Sequence, residues 1–304
     1  MFRKLIAIVA LLAALPAAAQ ELKSYTADFD AFATSTTAMP PVERVKAFRD
    51  RFNALIPGFY QPRFGATEEK YDTRIQKALE SYPADRAKFL AAASSFATAY
   101  AAANVHFRRF FPDYVPPATI YLLHSIGEMD GGTRDIGGKT YAVFGADVIA
   151  KVHDASTIGP FLDHELFHFH HARYFADCEA LWCSLWQEGL ATYVAGQMNP
   201  GGDDRTLMLV TPRPIRPEVE PRLDEAMCFT RAKLDSTDQG DYAAFFFGDG
   251  KSRFPPRFGY FIGYLLAKQI GATMSLDSLA RLPPARVKPL LEAALAGYAC
   301  PAAS

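Results

Sequence analysis

Beyond Leu15 the 304-residue chain has no uninterrupted apolar run near the ~20 residues that a membrane-spanning helix needs, so no span is expected in its body. Nor is there a surplus of positive charge: 32 Lys+Arg stand against 33 Asp+Glu, which argues against a nucleic-acid partner. Cysteines number only four, none in a CxxC pair, so a cysteine zinc site is not expected. Internal repeats and low-complexity stretches are not evident. Histidine is scarce as well, with seven in the chain, yet four of them fall in "HELFHFHH", residues 164–171.

The one apolar run is at the start. In MFRKLIAIVALLAALPAAAQ, Arg3 and Lys4 precede Leu5–Leu15 and a small-residue end, Ala17-Ala18-Ala19. This reads as a secretory signal peptide over residues 1–19, cut before Gln20, and it implies an exported protein, periplasmic or secreted, with no stable membrane span after cleavage. Losing Arg3 and Lys4 leaves 30 Lys+Arg against 33 Asp+Glu, a net charge of −3. An oxidising compartment favours disulfides. Of the three possible pairings, Cys178–Cys183 and Cys228–Cys300 are expected, because the first two cysteines are close in sequence and the last would pin the C-terminus.

Half the composition is apolar, enough for a full core. From Pro41 to about Phe111, apolar residues recur at three- and four-residue spacing between the breakers Pro57-Gly58 and Pro83, so a helical N-terminal region is expected over 20–115. The period then changes. Ala118–Leu123 and Lys139–Gly145 are β-prone runs on either side of the glycine-rich turn MDGGTRDIGG, and predict two strands of a small sheet. Helical patterns follow at roughly 157–174, 183–197, 222–236, 257–270 and 285–298, with a polar, proline-rich loop from Asn199 to Pro221. The expected class is α+β, mostly helical, with a second region over 116–304.

Within the histidine cluster, positions four apart on a helix differ by about 40° around its axis, so His164 and His168 can offer two imidazoles to one ion. Glu165, beside the first, can act as general base on a metal-activated water. This is the HExxH pattern of zinc hydrolases. Two histidines do not complete a zinc site, which wants three protein ligands and an open position. A third histidine in the form HExxHxxGxxH fails here, because His171 stands where the glycine is needed and Tyr174 where the last histidine would be. His170 and His171 then read as a wet helix end or as groups supporting the site. The alternative third ligand is Glu188 in WQEGLATYVAG, nineteen intervening residues after His168, with small Gly189 and Ala191 where two helices could approach closely.

"HELFH" followed by "EGLATY" resembles the gluzincins, the thermolysin-like zinc peptidases whose ligands are two histidines and a glutamate, and the small EGLA-containing predicted zinc proteases of bacteria. The resemblance covers roughly residues 118–270. It implies a thermolysin-like core of small sheet, HExxH helix and glutamate-bearing helix, with Zn2+ held by His164, His168 and Glu188. It further implies an edge strand ending in "FGADVIA" that an extended substrate could join. "RFGYFIGYLLAK" resembles a GYxxGY segment that could bring Tyr260 or Tyr264 to the oxyanion.

The activity so implied is hydrolysis of a peptide or protein substrate through a zinc-activated water with Glu165 as base. A zinc-binding envelope protein without turnover, or hydrolysis of a non-peptide amide or ester, are the alternatives. Tyr193 is a further and weaker candidate. Arg257 reads first as a solvated helix-start arginine and alternatively as a group that holds a substrate carboxylate or the oxyanion, Asp163 as an N-terminal helix charge, His106, His124 and His153 as structural, and Trp182 and Trp186 as core, with lining a pocket as the alternative. Oligomeric state and natural substrate are not legible.

Overall fold

The computed structural model describes residues 20–63, 65–176, 178–248 and 252–300; the expected signal segment lies outside the described residues. Four strands make one mixed sheet: β1 (Glu21–Ser24), β2 (Thr119–Leu123), β3 (Thr133–Ile136) and β4 (Lys139–Gly145), in the order β1-β2-β4-β3. β1 and β2 pair in parallel, as do β2 and β4, while β3 runs antiparallel to β4. The helices are α1 (Thr26–Ser35), α2 (Pro41–Leu55), α3 (Glu68–Phe107), α4 (Ala146–Val152), α5 (Ile158–His171), α6 (Leu181–Met198), α7 (Arg216–Val219), α8 (Leu223–Lys233), α9 (Gln239–Phe246), α10 (Phe258–Ile270), α11 (Leu276–Ala280) and α12 (Pro284–Ala296). The molecule is therefore mostly helical with a small sheet, as the sequence pattern implies.

Pro83 does not break the N-terminal pattern, contrary to expectation. α3 runs for 40 residues straight through it. A helical proline frees the carbonyl four residues earlier, and here that carbonyl, Leu79 O, accepts from Arg44 Nη1 at 3.4 Å. The same buried guanidinium donates to Ala33 O at 2.6 Å and to Thr36 Oγ1 at 3.0 Å, closing the end of α1. One arginine thus satisfies two helices, and burying it is tolerable because its donors are used.

Around it, Phe29, Phe48, Phe52, Tyr60, Tyr82 and Phe89 form an aromatic core, with His124 stacked on Phe29 at 3.7 Å between ring centroids. The apolar core is continuous from Phe29 to Leu295, and β1 lies beside β2 in the shared sheet.

Two further corrections concern the sheet. "FGADVIA" is not an edge strand: β4 ends at Gly145, is flanked by β2 and β3, and Ala146–Val152 is helix α4. The edges are β1 and β3, and β3, which lies beside β4, falls inside the stretch read as a turn. Its ladder continues backwards, with Val143 N donating to Gly132 O at 2.8 Å and Gly145 N to Asp130 O at 2.9 Å. Cys178–Cys183 and Cys228–Cys300 pair as expected, with Cα separations of 5.9 and 5.5 Å. Among the described residues, no helix is long and apolar enough to cross a membrane.

Candidate metal centre

α5 carries three of the candidate residues and α6 the fourth. α6 is built to come close: its outer face uses Gly189, where an added Cβ would lie 2.1 Å from the carbonyl carbon of Gly263 on α10. That contact locks α6 against α10, while the other side of α6 packs on α5. Glu188, adjacent to Gly189, is thereby held against the HExxH face.

The result is a triangle of donor atoms. His164 Nε2 and His168 Nε2 are 3.0 Å apart, and Glu188 Oε2 is 3.3 Å from each. Ligands bound at ~2.0–2.1 Å in a tetrahedral zinc site are separated by about 3.3–3.4 Å, so the triangle needs adjustments of only a few tenths of an ångström. Three groups with lone pairs converging at this distance require a shared cation or shared protons. Two imidazoles and one carboxylate, with a cavity alongside, is the donor set of catalytic rather than structural zinc.

The electrostatics agree with ligand duty. Burial holds His164 below the usual imidazole range, so it is neutral with a lone pair to give. Burial pushes the Glu188 carboxyl up, but the charge of His168 and hydrogen bonds from His164 and His168 outweigh it, and the net shift is downward. Glu188 stays ionised.

Glu165 is 7 % exposed and lies in the wall of a cavity of about 560 Å3 that also contains His168, Glu188 and Tyr260. Its neighbour is the backbone of Gly131, where a Cβ would come 2.7 Å from Glu165 Cδ; only glycine leaves room for the carboxylate. Burial, opposed by His168 and reinforced by Asp130 and Glu188, raises its pKa to about 8, and Oε2 has no hydrogen-bond partner among the described residues. A cation at the adjacent triangle would draw that value down.

Of the two tyrosines, Tyr260 lines this cavity, with its ring centroid 6.4 Å from that of His164. Burial holds its phenol well above the usual range, so the O–H remains a donor. Tyr264 faces a different cavity, with Arg205, Asp204 and Arg216, and lies near Tyr193, their ring centroids 6.3 Å apart. α10 therefore brings Tyr260 to the cavity beside the triangle, while Tyr264 on the same helix and Tyr193 on α6 are not part of its lining.

Several minor readings are corrected. Asp163 is mid-helix, 1 % exposed, and its carboxylate binds His106 Nδ1 at 3.0 Å and Asn199 Nδ2 at 2.8 Å, joining α3 to the end of α6. His170 and His171 are not a wet helix end, because α5 is enclosed. His171 is 1 % exposed with Nδ1 donating to Ala280 O at 2.8 Å, and His170 is fully buried among Phe107, Phe111 and Tyr114. The Asp113–His170–Asp277 group brings donors within 4.8 Å of one another, but Arg281 already binds both carboxylates at 2.9 Å, which makes it an ion-pair network.

Cavity residues that sequence reasoning missed are Asp130, Arg134 and Tyr242; His153, read as structural, and Arg257, read first as a solvated helix start, line it as well. His153 Nε2 is 3.1 Å from Asp130 Oδ2. Arg257 is not a solvated helix start: it is half-buried, stacks on Tyr260 at 4.5 Å, and adopts the left-handed region with φ 65°. That φ, which Met208 in the same cavity wall shares at 58°, has no sequence signal.

No family model, no curated protein and no solved structure matches the chain. Functional inference therefore stands on the geometry alone.

Proposed function

We propose that the chain is an exported zinc-dependent hydrolase with a thermolysin-like core that cleaves peptide bonds. The observation that carries this reading is the triangle of His164 Nε2, His168 Nε2 and Glu188 Oε2, with edges of 3.0 to 3.3 Å, beside the Glu165 carboxylate in an open cavity.

Zinc, when bound by these three residues, supplies Lewis acidity and lowers the pKa of water toward ~7. Glu165 takes a proton from the attacking water and later delivers it to the leaving nitrogen. Its burial raises the carboxyl's pKa and a cation bound at the triangle would draw it back down, a balance that favours a carboxylate able both to take the proton and to return it. Tyr260 donates its O–H to the oxygen that gains charge, a role for which its hydroxyl is uncommitted among the described residues.

The free edge that runs from Asp130 through β3 supports a peptide substrate. Its outer backbone groups face away from β4, and an extended chain can pair with them next to Glu165. Two disulfides and the leader-like N-terminus support an exported protein.

The test is Glu165→Gln beside the wild type, each analysed for zinc and for cleavage of a peptide library. Equal zinc with at least a hundredfold loss of cleavage supports the reading. Equal zinc with no cleavage by either protein moves the assignment to a binding module or a non-peptide substrate.

A further inference from the structure

Among the described residues, the charged groups that line the cavity are paired with opposite charges or placed in the donor cluster, apart from the Glu165 carboxylate and the Arg257 guanidinium. Arg134 binds Glu128 at 3.1 Å, Arg205 binds Asp154 at 2.5 Å, and Asp130 binds His153 at 3.1 Å. Arg257 makes a single hydrogen bond, from Nη1 to Thr211 O at 3.3 Å, and among the described residues no carboxylate lies within ion-pair distance of it. Among the described residues, four of its five N–H donors have no hydrogen-bond acceptor. A guanidinium that is half out of solvent and stacked on an aromatic face, with its donors unused, is the arrangement that captures a planar anion in a two-pronged fashion. The left-handed backbone of Arg257 fixes where it points, and such strain is retained where the surroundings hold a residue for use.

Resting on the hydrolase reading, we infer that Arg257 binds the free C-terminal carboxylate of the substrate, so that the enzyme removes a residue from the C-terminal end. The distance fits. Arg257 Cζ is 4.5 Å from the Tyr260 ring centroid and that centroid is 6.4 Å from the His164 ring, so the guanidinium is within about 11 Å of the ligand cluster. One residue of extended chain spans at most ~3.5 Å and a charge-assisted hydrogen bond adds ~2.8 Å, so the scissile bond lies one residue, at most two, from the anchored carboxylate. The cavity that holds both Arg257 and Glu165 also has Val148, Val152, Phe169, Met208, Val210 and Phe246 in its lining, which favours a substrate with apolar side chains. In the cleavage a water oxygen bonds to the carbonyl carbon preceding the anchored residue, the C–N bond breaks, and the proton taken by Glu165 passes to the leaving amine.

The probes are benzoyl-glycyl-phenylalanine and its C-terminal amide. Binding is measured by calorimetry on zinc-loaded Glu165→Gln and on the double variant that adds Arg257→Gln; hydrolysis is measured separately on the wild type. We expect the single variant to bind the acid about a hundredfold more tightly than the amide, and the double variant to bind both alike. Equal binding of acid and amide by the single variant overturns the inference, as does discrimination that survives the loss of Arg257, because the carboxylate would then sit elsewhere. The wild-type acid-to-amide ratio in kcat/KM tests carboxylate recognition even should the double variant not fold, and a ratio near one overturns the inference. If Arg257-dependent discrimination holds while the zinc-loaded wild type cleaves neither probe nor any library peptide, the carboxylate site stands and the hydrolase reading falls.

Discussion

Replacing Gly189 with alanine should damage both the fold and the metal site, and the structure sets the size of the effect. An added Cβ would sit 2.1, 2.3 and 2.4 Å from the carbonyl carbon, Cα and oxygen of Gly263. Carbon atoms in contact prefer ~3.5–4.0 Å, so α6 and α10 must separate by roughly 1 Å or more. Alanine gains about 1 kcal/mol over glycine in a helix interior. Against that, forced expansion of a packed interface costs about 1–3 kcal/mol, and here the obstacle is backbone, which has no rotamer to change. The clash wins by up to about 2 kcal/mol, toward the upper end because the obstacle is backbone. Because Glu188 is the next residue, the same displacement opens the 3.3 Å edges of the donor triangle, and a tenfold to hundredfold weaker zinc affinity follows. Urea unfolding and a calorimetric zinc titration of Gly189→Ala are the assays. Stability within 0.5 kcal/mol of wild type together with unchanged zinc affinity would refute the argument that this helix contact positions Glu188.

Other consequences can be measured on the same protein. His171, held neutral by burial, is lowered to about 4, so the unfolded chain binds the extra proton between about 6.5 and 4 and stability is lost as pH falls through that window; His171→Phe should flatten that slope by about one proton, and an unchanged slope counts against it. Glu165 has the opposite sign in the metal-free protein: raised from 4.5 to about 8, it makes stability fall as pH rises across that interval, and Glu165→Gln should abolish this component in a pH series of unfolding curves. His170→Phe, which removes two buried nitrogens without partners from an aromatic pocket, should leave the protein at least as stable as wild type at pH 7; a loss above 1 kcal/mol would mean that His170 has a bonded role. Removing Cys228–Cys300, which closes 72 residues, should cost about 4 kcal/mol and removing Cys178–Cys183 about 2, on a chain-entropy account checked by the two double alanine variants.

That His164, His168 and Glu188 come together was legible because the proposed metal ligation imposes a spacing. His164 and His168 must be four apart on a helix to share an ion, and Glu188 needs small neighbours for its helix to approach; both requirements leave marks in a sequence. Tyr260 and Tyr264 share one face of α10 by spacing, and only the close seating of that helix at Gly263 decides which of them reaches the cavity. β1 and β3 went unread because they are four residues long and half exposed, with too little alternation to stand out. α1 and the continuity of α3 through Pro83 depend on Arg44, a partner 35 residues away from Leu79 that no local pattern announces. Asp163, His170 and His171 were misread for a related reason: polar residues near the end of a helix look solvated until the elements that cover them are known.

The claim on which the rest depends is that His164, His168 and Glu188 form one metal site. Zinc stoichiometry of the purified mature protein, measured beside His168→Ala and Glu188→Ala after identical zinc loading and dialysis, tests it most directly. The account predicts one zinc per wild-type chain and essentially none in either variant, with both variants still folded by circular dichroism. Wild type without zinc, or folded variants that retain as much as wild type, would contradict it.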